Sequence, residues 1–206
     1  MDEGEVKVLV ACEFSGRVRD AFAKRGHDAW SCDLLPSETA GQHIQGDVLG
    51  CLNEGWDLMI AHPPCTYLTT TGNKWFKPEF RDRFPTRERD REDAVRFFLA
   101  LANAPVERIA IENPVGIMST LYRKPNQIIQ PYEFGHIEAK KTCLWLRRLP
   151  PLLMFNQSQE VPEYTTFKSG KRMATWYVKS ASSDNRASLR SRTFENIANA
   201  MAEQWG

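Results

Sequence analysis

Val6-Lys7-Val8-Leu9-Val10-Ala11-Cys12-Glu13-Phe14-Ser15-Gly16 is the stretch that decides the fold. Its apolar run to Cys12 predicts a buried strand, and the turn Glu13 to Gly16 leads into Val18 to Arg25, where apolar residues recur at helical spacing. Gly26 supplies a helix C-cap, and His27 to Cys32 predicts a second strand ending at Asp33. Strand, glycine turn, helix and a strand closed by an acid make the outline of a nucleotide-binding βαβ unit.

The pattern continues outward. Gly46-Asp47-Val48-Leu49 precedes a buried strand, Trp56 to Ala61, which His62-Pro63-Pro64-Cys65 stops. Thr69 to Arg91 reads as a long polar loop and Arg91 to Ala102 as an amphipathic helix. Arg108 to Ile111 predicts a strand ending at Glu112-Asn113-Pro114, and Lys141 to Leu146 a late strand closed by Pro150-Pro151. Met154 to Arg192 is polar and irregular; Thr193 to Trp205 is a final helix with Phe194, Ile197, Ala198, Met201 and Trp205 on one side. The alternation predicts an α/β, Rossmann-like fold with a mainly parallel central sheet, as one domain over 1–206.

Composition sets outer limits. A chain of 206 residues, 42% hydrophobic and 26% charged, can bury one sizeable core. A net charge of +1 makes any basic surface local. The five cysteines never form a C-x-x-C pair, which points away from a zinc ribbon or disulfide framework and towards a reducing compartment. The acidic start Met1-Asp2-Glu3-Gly4-Glu5 is unlike a signal peptide, and no apolar stretch is long enough to span a membrane. A cytoplasmic protein without a metal site is the expectation.

In open α/β sheets, ligands bind beyond the carboxyl ends of the strands. Cys65, on a proline-stiffened turn there, is placed like a nucleophile; the alternative is a buried structural thiol. Asp33 is placed to hold a ribose, against a plain strand-ending turn, and Asp47 competes with a common Gly-Asp turn. Phe14 packs on an adenine or in the core. Glu112-Asn113-Pro114 is a site element or a turn initiator, and His62 lines the site at most.

Taken in order, Glu13-Phe14-Ser15-Gly16, Asp33, Asp47, Pro64-Cys65 and Glu112-Asn113 resemble the motifs of the cytosine-5 DNA methyltransferase family, most closely its compact phage-carried members. The resemblance covers the first two-thirds of the chain and, more weakly, the helix 193–206, expected to pack back on the cofactor side. It implies S-adenosyl-L-methionine as cofactor, held by Glu13, Phe14, Ser15, Gly16, Asp33, Leu34, Asp47, Val48, Pro64 and Asn196. It also implies DNA as partner, with a cytosine flipped from the duplex, in the cytoplasm of a bacterium or phage-infected host. Cys65 would add to cytosine C6, a protonated Glu112 would donate to N3, and Asn113 would orient that carboxyl or touch the base. A nearby positive field would favour the thiolate. Amino-methyltransferases carry an aromatic residue where Cys65 stands and Asp or Asn where His62 stands.

The sequence departs from the family pattern at several points. Val18 replaces the second glycine, Glu-Asn-Val is Glu-Asn-Pro, and the late Gln-x-Arg-x-Arg segment is replaced by Ala139-Lys140-Lys141-Thr142, where Lys140 and Thr142 would hold phosphate or base. In place of a recognition domain there is only 150–192, a short insertion expected to contact DNA. It carries Lys168, Lys171, Arg172, Lys179, Arg186, Arg190 and Arg192 against Glu160, Glu163 and Asp184, interleaved with Tyr164, Phe167, Trp176 and Tyr177. Lys74, Trp75 and Arg81 in the loop after Cys65 are further contact candidates. So small a surface predicts short or relaxed sequence specificity. Two other readings stay open: C5 methylation of a free pyrimidine nucleotide or single strand, and an inactive DNA-binding module.

Overall fold

The computed structural model describes residues 4–154, 161–180 and 190–206. Glu160, Asp184 and Arg186 of the expected insertion lie outside the described residues. Seven strands form one sheet: β1 (Lys7–Ala11), β2 (Asp28–Asp33), β3 (His43–Gln45), β4 (Leu58–Ala61), β5 (Arg108–Pro114), β6 (Gln127–Ile129) and β7 (Thr142–Arg147). Their order is β3-β2-β1-β4-β5-β7-β6; the first five are parallel, and β7 runs antiparallel to both its neighbours. This is the α/β, Rossmann-like fold with a mainly parallel central sheet expected from the sequence.

Period-two alternation sends successive side chains to two buried layers. Val8, Val10, Leu58, Ile60 and Ala110 pack under α1 (Arg17–Ala23) and the C-terminal helix, through Phe22, Met201 and Trp205. Leu9, Ala11, Met59, Ala61, Ile109 and Ile111 pack under α2 (Arg87–Ala102), through Phe98 and Leu101. Each such side chain contributes roughly 1.5–3 kcal/mol by leaving water. Burial on both faces explains why these strands read as continuous apolar runs.

Several boundaries differ from the sequence reading. α2 begins at Arg87, four residues before the expected Arg91, because its first turn is charged and half-exposed and shows no apolar period. The expected loop before it contains two 3-10 turns, Thr70–Phe76 and Pro78–Phe80. β5 continues through Glu112, Asn113 and Pro114, since β7 supplies partners Leu144, Cys143 and Thr142. After α3 (Met118–Leu121), the region read as irregular holds a hairpin, β8 (Tyr164–Thr166) and β9 (Arg172–Ala174), followed by α4 (Thr175–Lys179). The last helix, α5 (Glu195–Trp205), begins two residues late.

The chain segments that follow β4 and β5 are laced together. Thr69 bridges Gly116, the Thr70 amide donates to the Val115 carbonyl (3.3 Å), and the Ile117 amide donates to the Leu68 carbonyl (2.9 Å). A methyl group on Gly116 would overlap the Leu68 carbonyl oxygen, which is main chain and cannot swing aside. Gly116→Ala should therefore cost about 1–3 kcal/mol, read as a lowered midpoint in thermal melts. An unchanged melt would show that the two segments part freely.

Candidate active site

Parallel register fixes the centre of the site. Ala11 pairs with Ala61, and Ala61 with Ile111, so one residue further along Cys12, His62 and Glu112 lie side by side at the carboxyl edge. His62 Nδ1 lies 2.8 Å from Glu112 Oε2, with the two side chains only 8% and 12% exposed. The next residue of each segment is joined too: the buried Asn113 donates from Nδ2 to the Pro63 carbonyl at 2.7 Å. Asn113 thus anchors the His62-to-Cys65 turn. Strand alternation turns it to the sheet face opposite Glu112, so its amide holds the turn rather than that carboxyl.

Charge at the centre also differs from expectation. Burial acts to raise the Glu112 pKa, but Lys140, the His62 hydrogen bond and charge, and a hydrogen bond from Thr142 outweigh it and hold the carboxyl at about 2. Glu112 is therefore a carboxylate in the free chain rather than the neutral acid expected. Its stabilising contribution is complete above the ordinary carboxylate range and is lost as pH falls towards about 2. Burial pushes the Cys65 thiol up, as does the Glu112 charge, while Lys140 pulls it down. The expected positive field is real but is outweighed. Lys140 donates to the Arg190 carbonyl (3.1 Å), and the buried Thr142 hydroxyl lies 3.2 Å from the Lys140 carbonyl.

On the α2 side, a cavity of about 300 Å³ opens at the ends of β1 to β4, lined by Cys12, Cys32, Asp33, Leu34, Gly46, Asp47, Val48, Pro64 and Phe97. Five of the expected cofactor residues meet there: Asp33, Leu34, Asp47, Val48 and Pro64. Asp33 and Asp47 each use one oxygen to accept a local amide, from Leu35 (2.9 Å) and Leu49 (3.0 Å). The second oxygen of each remains able to accept from a ligand. Cys12 takes a left-handed φ of 59°, a strained conformation for a residue with a side chain. Cys12 and Phe97 were missed; an isolated strand-end thiol and one helix aromatic give no sequence signal.

The other expected cofactor residues are engaged elsewhere. Glu13 is buried and caps α1, accepting the amides of Val18 (2.8 Å) and Arg19 (3.1 Å) and the Ser15 hydroxyl (3.2 Å). That cap, with Gly16 at φ 73°, starts the helix and leaves Val18 free to enter the core. The Phe14 carbonyl accepts from Glu38, and Phe14 does not line the cavity. Asn196 donates to the Phe134 carbonyl (2.7 Å), and α5 packs on α1, on the sheet face away from the cavity.

Beyond Cys65 and Glu112 lies an open cleft of about 520 Å³, between Thr69–Thr71, Pro114–Val115, Ala139–Lys141 and the hairpin side chains Lys171, Met173, Trp176 and Tyr177. Trp176 donates to the Ala139 carbonyl (2.9 Å) and meets Phe194 edge-on, docking the hairpin. Lys140 and Lys171 are thus brought together. Arg172 is not, stacking instead over Tyr164 at 4.8 Å. Lys74, Trp75 and Arg81 lie outside this cleft: Trp75 packs edge-on against Phe80 and Phe84 under Lys74, and Arg81 faces Glu88 at 3.8 Å. Among the described residues no group of His, Cys, Asp or Glu is arranged to hold a metal, and no helix is long and apolar enough to cross a membrane.

No protein-family profile and no curated protein matches the chain. Among solved structures it is similar to a prophage-encoded E. coli protein described as a candidate DNA modification methyltransferase, with 14% identity and a TM-score of 0.45. That likeness covers 77% of this chain and 53% of the other, so this chain spans about half the length of that protein. The fold assignment rests on the strand order itself.

Proposed function

We propose that the chain is an S-adenosylmethionine-dependent methyltransferase that acts on C5 of cytosine in DNA through a covalent Cys65 adduct. One juxtaposition carries the reading: Pro64 lines the cavity at the strand ends, while its neighbour Cys65 lies within the fields of Glu112 and Lys140. Cofactor and nucleophile would meet across one peptide bond.

The cavity suits the adenosine half of the cofactor. Asp33 and Asp47 offer acceptors for ribose hydroxyls and an adenine amine, and Phe97, Val48 and Leu34 offer apolar surface. When bound, S-adenosylmethionine supplies an electrophilic methyl group. The chain's own groups do the rest. Cys65 gives its proton to water and bonds to cytosine C6, making C5 nucleophilic; once C5 carries the methyl, its own proton goes to water and the C6–S bond breaks. Asn113 keeps the turn in place during attack, and Glu112 faces the ring nitrogen that gains a proton. Lys140 offsets the negative charge gathered there.

DNA is the substrate this cleft fits best, because three lysines, Lys140, Lys141 and Lys171, adjoin Trp176 and Tyr177. Of the described residues of 150–192, only the hairpin end and the first turn of α4 line the cleft, which supports short or relaxed specificity. A single strand, entering without base flipping, is the second reading, favoured by the openness of the cleft.

Trapping tests the proposal. Incubated with S-adenosylmethionine and oligonucleotides containing 5-fluorocytosine, the protein should form a covalent adduct on Cys65, located by peptide mass mapping. Fluorine at C5 cannot leave as a proton does, so the adduct persists. Parallel duplex and single-stranded oligonucleotides decide between the two substrates. No adduct on either, or an adduct on another cysteine, would sink the reading.

A further inference from the structure

A carboxylate cannot donate a proton, yet the proposed attack on cytosine requires one at ring nitrogen N3. Glu112 is faced by His62 at the end of β4, by Cys65 on the turn, by Lys140 before β7, and by Thr142 and Cys143 on β7. Of these, His62 is held against the carboxylate, its Nδ1 2.8 Å from Oε2, and an imidazole can both carry and give up a proton. Its other nitrogen, Nε2, is buried and has no hydrogen-bond partner among the described residues. Leaving a buried polar atom unpaired costs about 1–3 kcal/mol. A ring nitrogen kept buried at that cost points to a role beyond the hydrogen bond to Glu112.

We propose that His62 is a positioning residue that supplies, through Glu112, the proton the substrate ring takes up, an inference that rests on the cytosine C5 reading. His62 enters the cycle as imidazolium. As Cys65 sulfur bonds to C6, the Nδ1–H bond breaks and the proton passes to the Glu112 carboxylate. The carboxyl then releases a proton to N3 and returns to carboxylate, leaving His62 neutral. When the C6–S bond breaks, N3 gives its proton back along the same route, and the pair regains its first state. The N3 proton is thus returned within the cycle, the cytosine C5 proton leaves to water as the methyl replaces it, and no redox partner is needed.

His62→Asn separates supply from contact, because its amide can donate to Glu112 but cannot deliver a proton. With the 5-fluorocytosine duplex, adduct formation by His62→Asn should slow by about 10²–10⁴-fold, with duplex binding and thermal midpoint near the parent's. The pH profiles of adduct formation by the parent and by His62→Asn should differ, because only the parent can pass a proton through residue 62. A second variant, His62→Gln, guards against local misfolding and should behave alike. Adding Glu112→Gln to His62→Asn should slow the reaction no further than Glu112→Gln alone. Full-rate trapping by a folded His62→Asn, or an unchanged pH profile, would overturn the proton supply while leaving the C5 reading intact. Failure of the parent itself to form an adduct would overturn both.

Discussion

Cys65→Ala should lose methyl transfer by at least about 10⁴-fold while keeping its fold and its affinity for cofactor and DNA. The side chain forms none of the core clusters, and the turn is held by Asn113 on the Pro63 carbonyl rather than by the thiol. Only the new bond to carbon is removed. The parent's pH dependence follows from the raised thiol. The reactive form is the deprotonated one, so below the thiol's pKa its population rises about tenfold per pH unit. Single-turnover adduct formation should climb between pH 7 and 9. Lys140→Met removes the one side-chain charge pulling the thiol down and should move that rise to higher pH. A flat profile in the parent would mean the thiolate is already formed, and Cys65→Ala turning over at the parent's rate would remove Cys65 from the chemistry.

The second large effect lies away from the thiol. Arg19 is buried on α1, 1% exposed, paired with Asp20 at 2.7 Å. It donates to the hydroxyls of Ser31 (3.2 Å), Ser37 (3.0 Å) and Thr39 (2.6 Å) and to the Ala40 carbonyl (3.1 Å). Arg19→Ala strands these acceptors and empties a large volume. The expected loss is about 3–5 kcal/mol, as for breaking a buried charge pair, within a total stability of roughly 5–15 kcal/mol. At roughly 2–4 °C per kcal/mol for a domain of this size, the midpoint should fall by about 6–20 °C. The segment Arg19 ties down follows directly from Leu34 and Leu35 at the cavity mouth, so cofactor affinity should drop with stability. Differential scanning calorimetry with and without S-adenosylmethionine checks both. A shift under about 2 °C would show the network is dispensable.

What the sequence revealed follows from how each signal is encoded. The strands announce themselves because both faces are buried, and their ends locate Asp33, Asp47, Cys65 and Glu112 together. The His62–Glu112 pair was latent in the same data: each residue directly follows the stretch that aligns Ala61 with Ile111. Reading register as well as strand ends would have found it. The charge of Glu112 was not readable, because Lys140 and Thr142 reach it along a reversed strand whose direction sequence pattern does not encode. Arg19 looks like any helix cation until the 34–41 segment folds over it. β8 and β9 are three residues each and largely exposed, so no apolar alternation marks them. Trp75 was read as a base contact, yet Phe80 and Phe84 close by satisfy it locally. Asn196 was assigned by analogy with a family helix, and its amide proved to hold a turn.

The hairpin 164–174 and the short α4 that follows it are docked chiefly through Trp176, against the Ala139 carbonyl and the Phe194 ring. The turn from His62 to Cys65 is instead fastened to the sheet by its own neighbours. On the proposed function, chemistry and target choice are therefore carried by separable pieces of the chain. Mutation could then redraw the hairpin, changing which nucleic acid is admitted, while the turn that carries the thiol stays in place. Targets could diversify by the exchange of one loop.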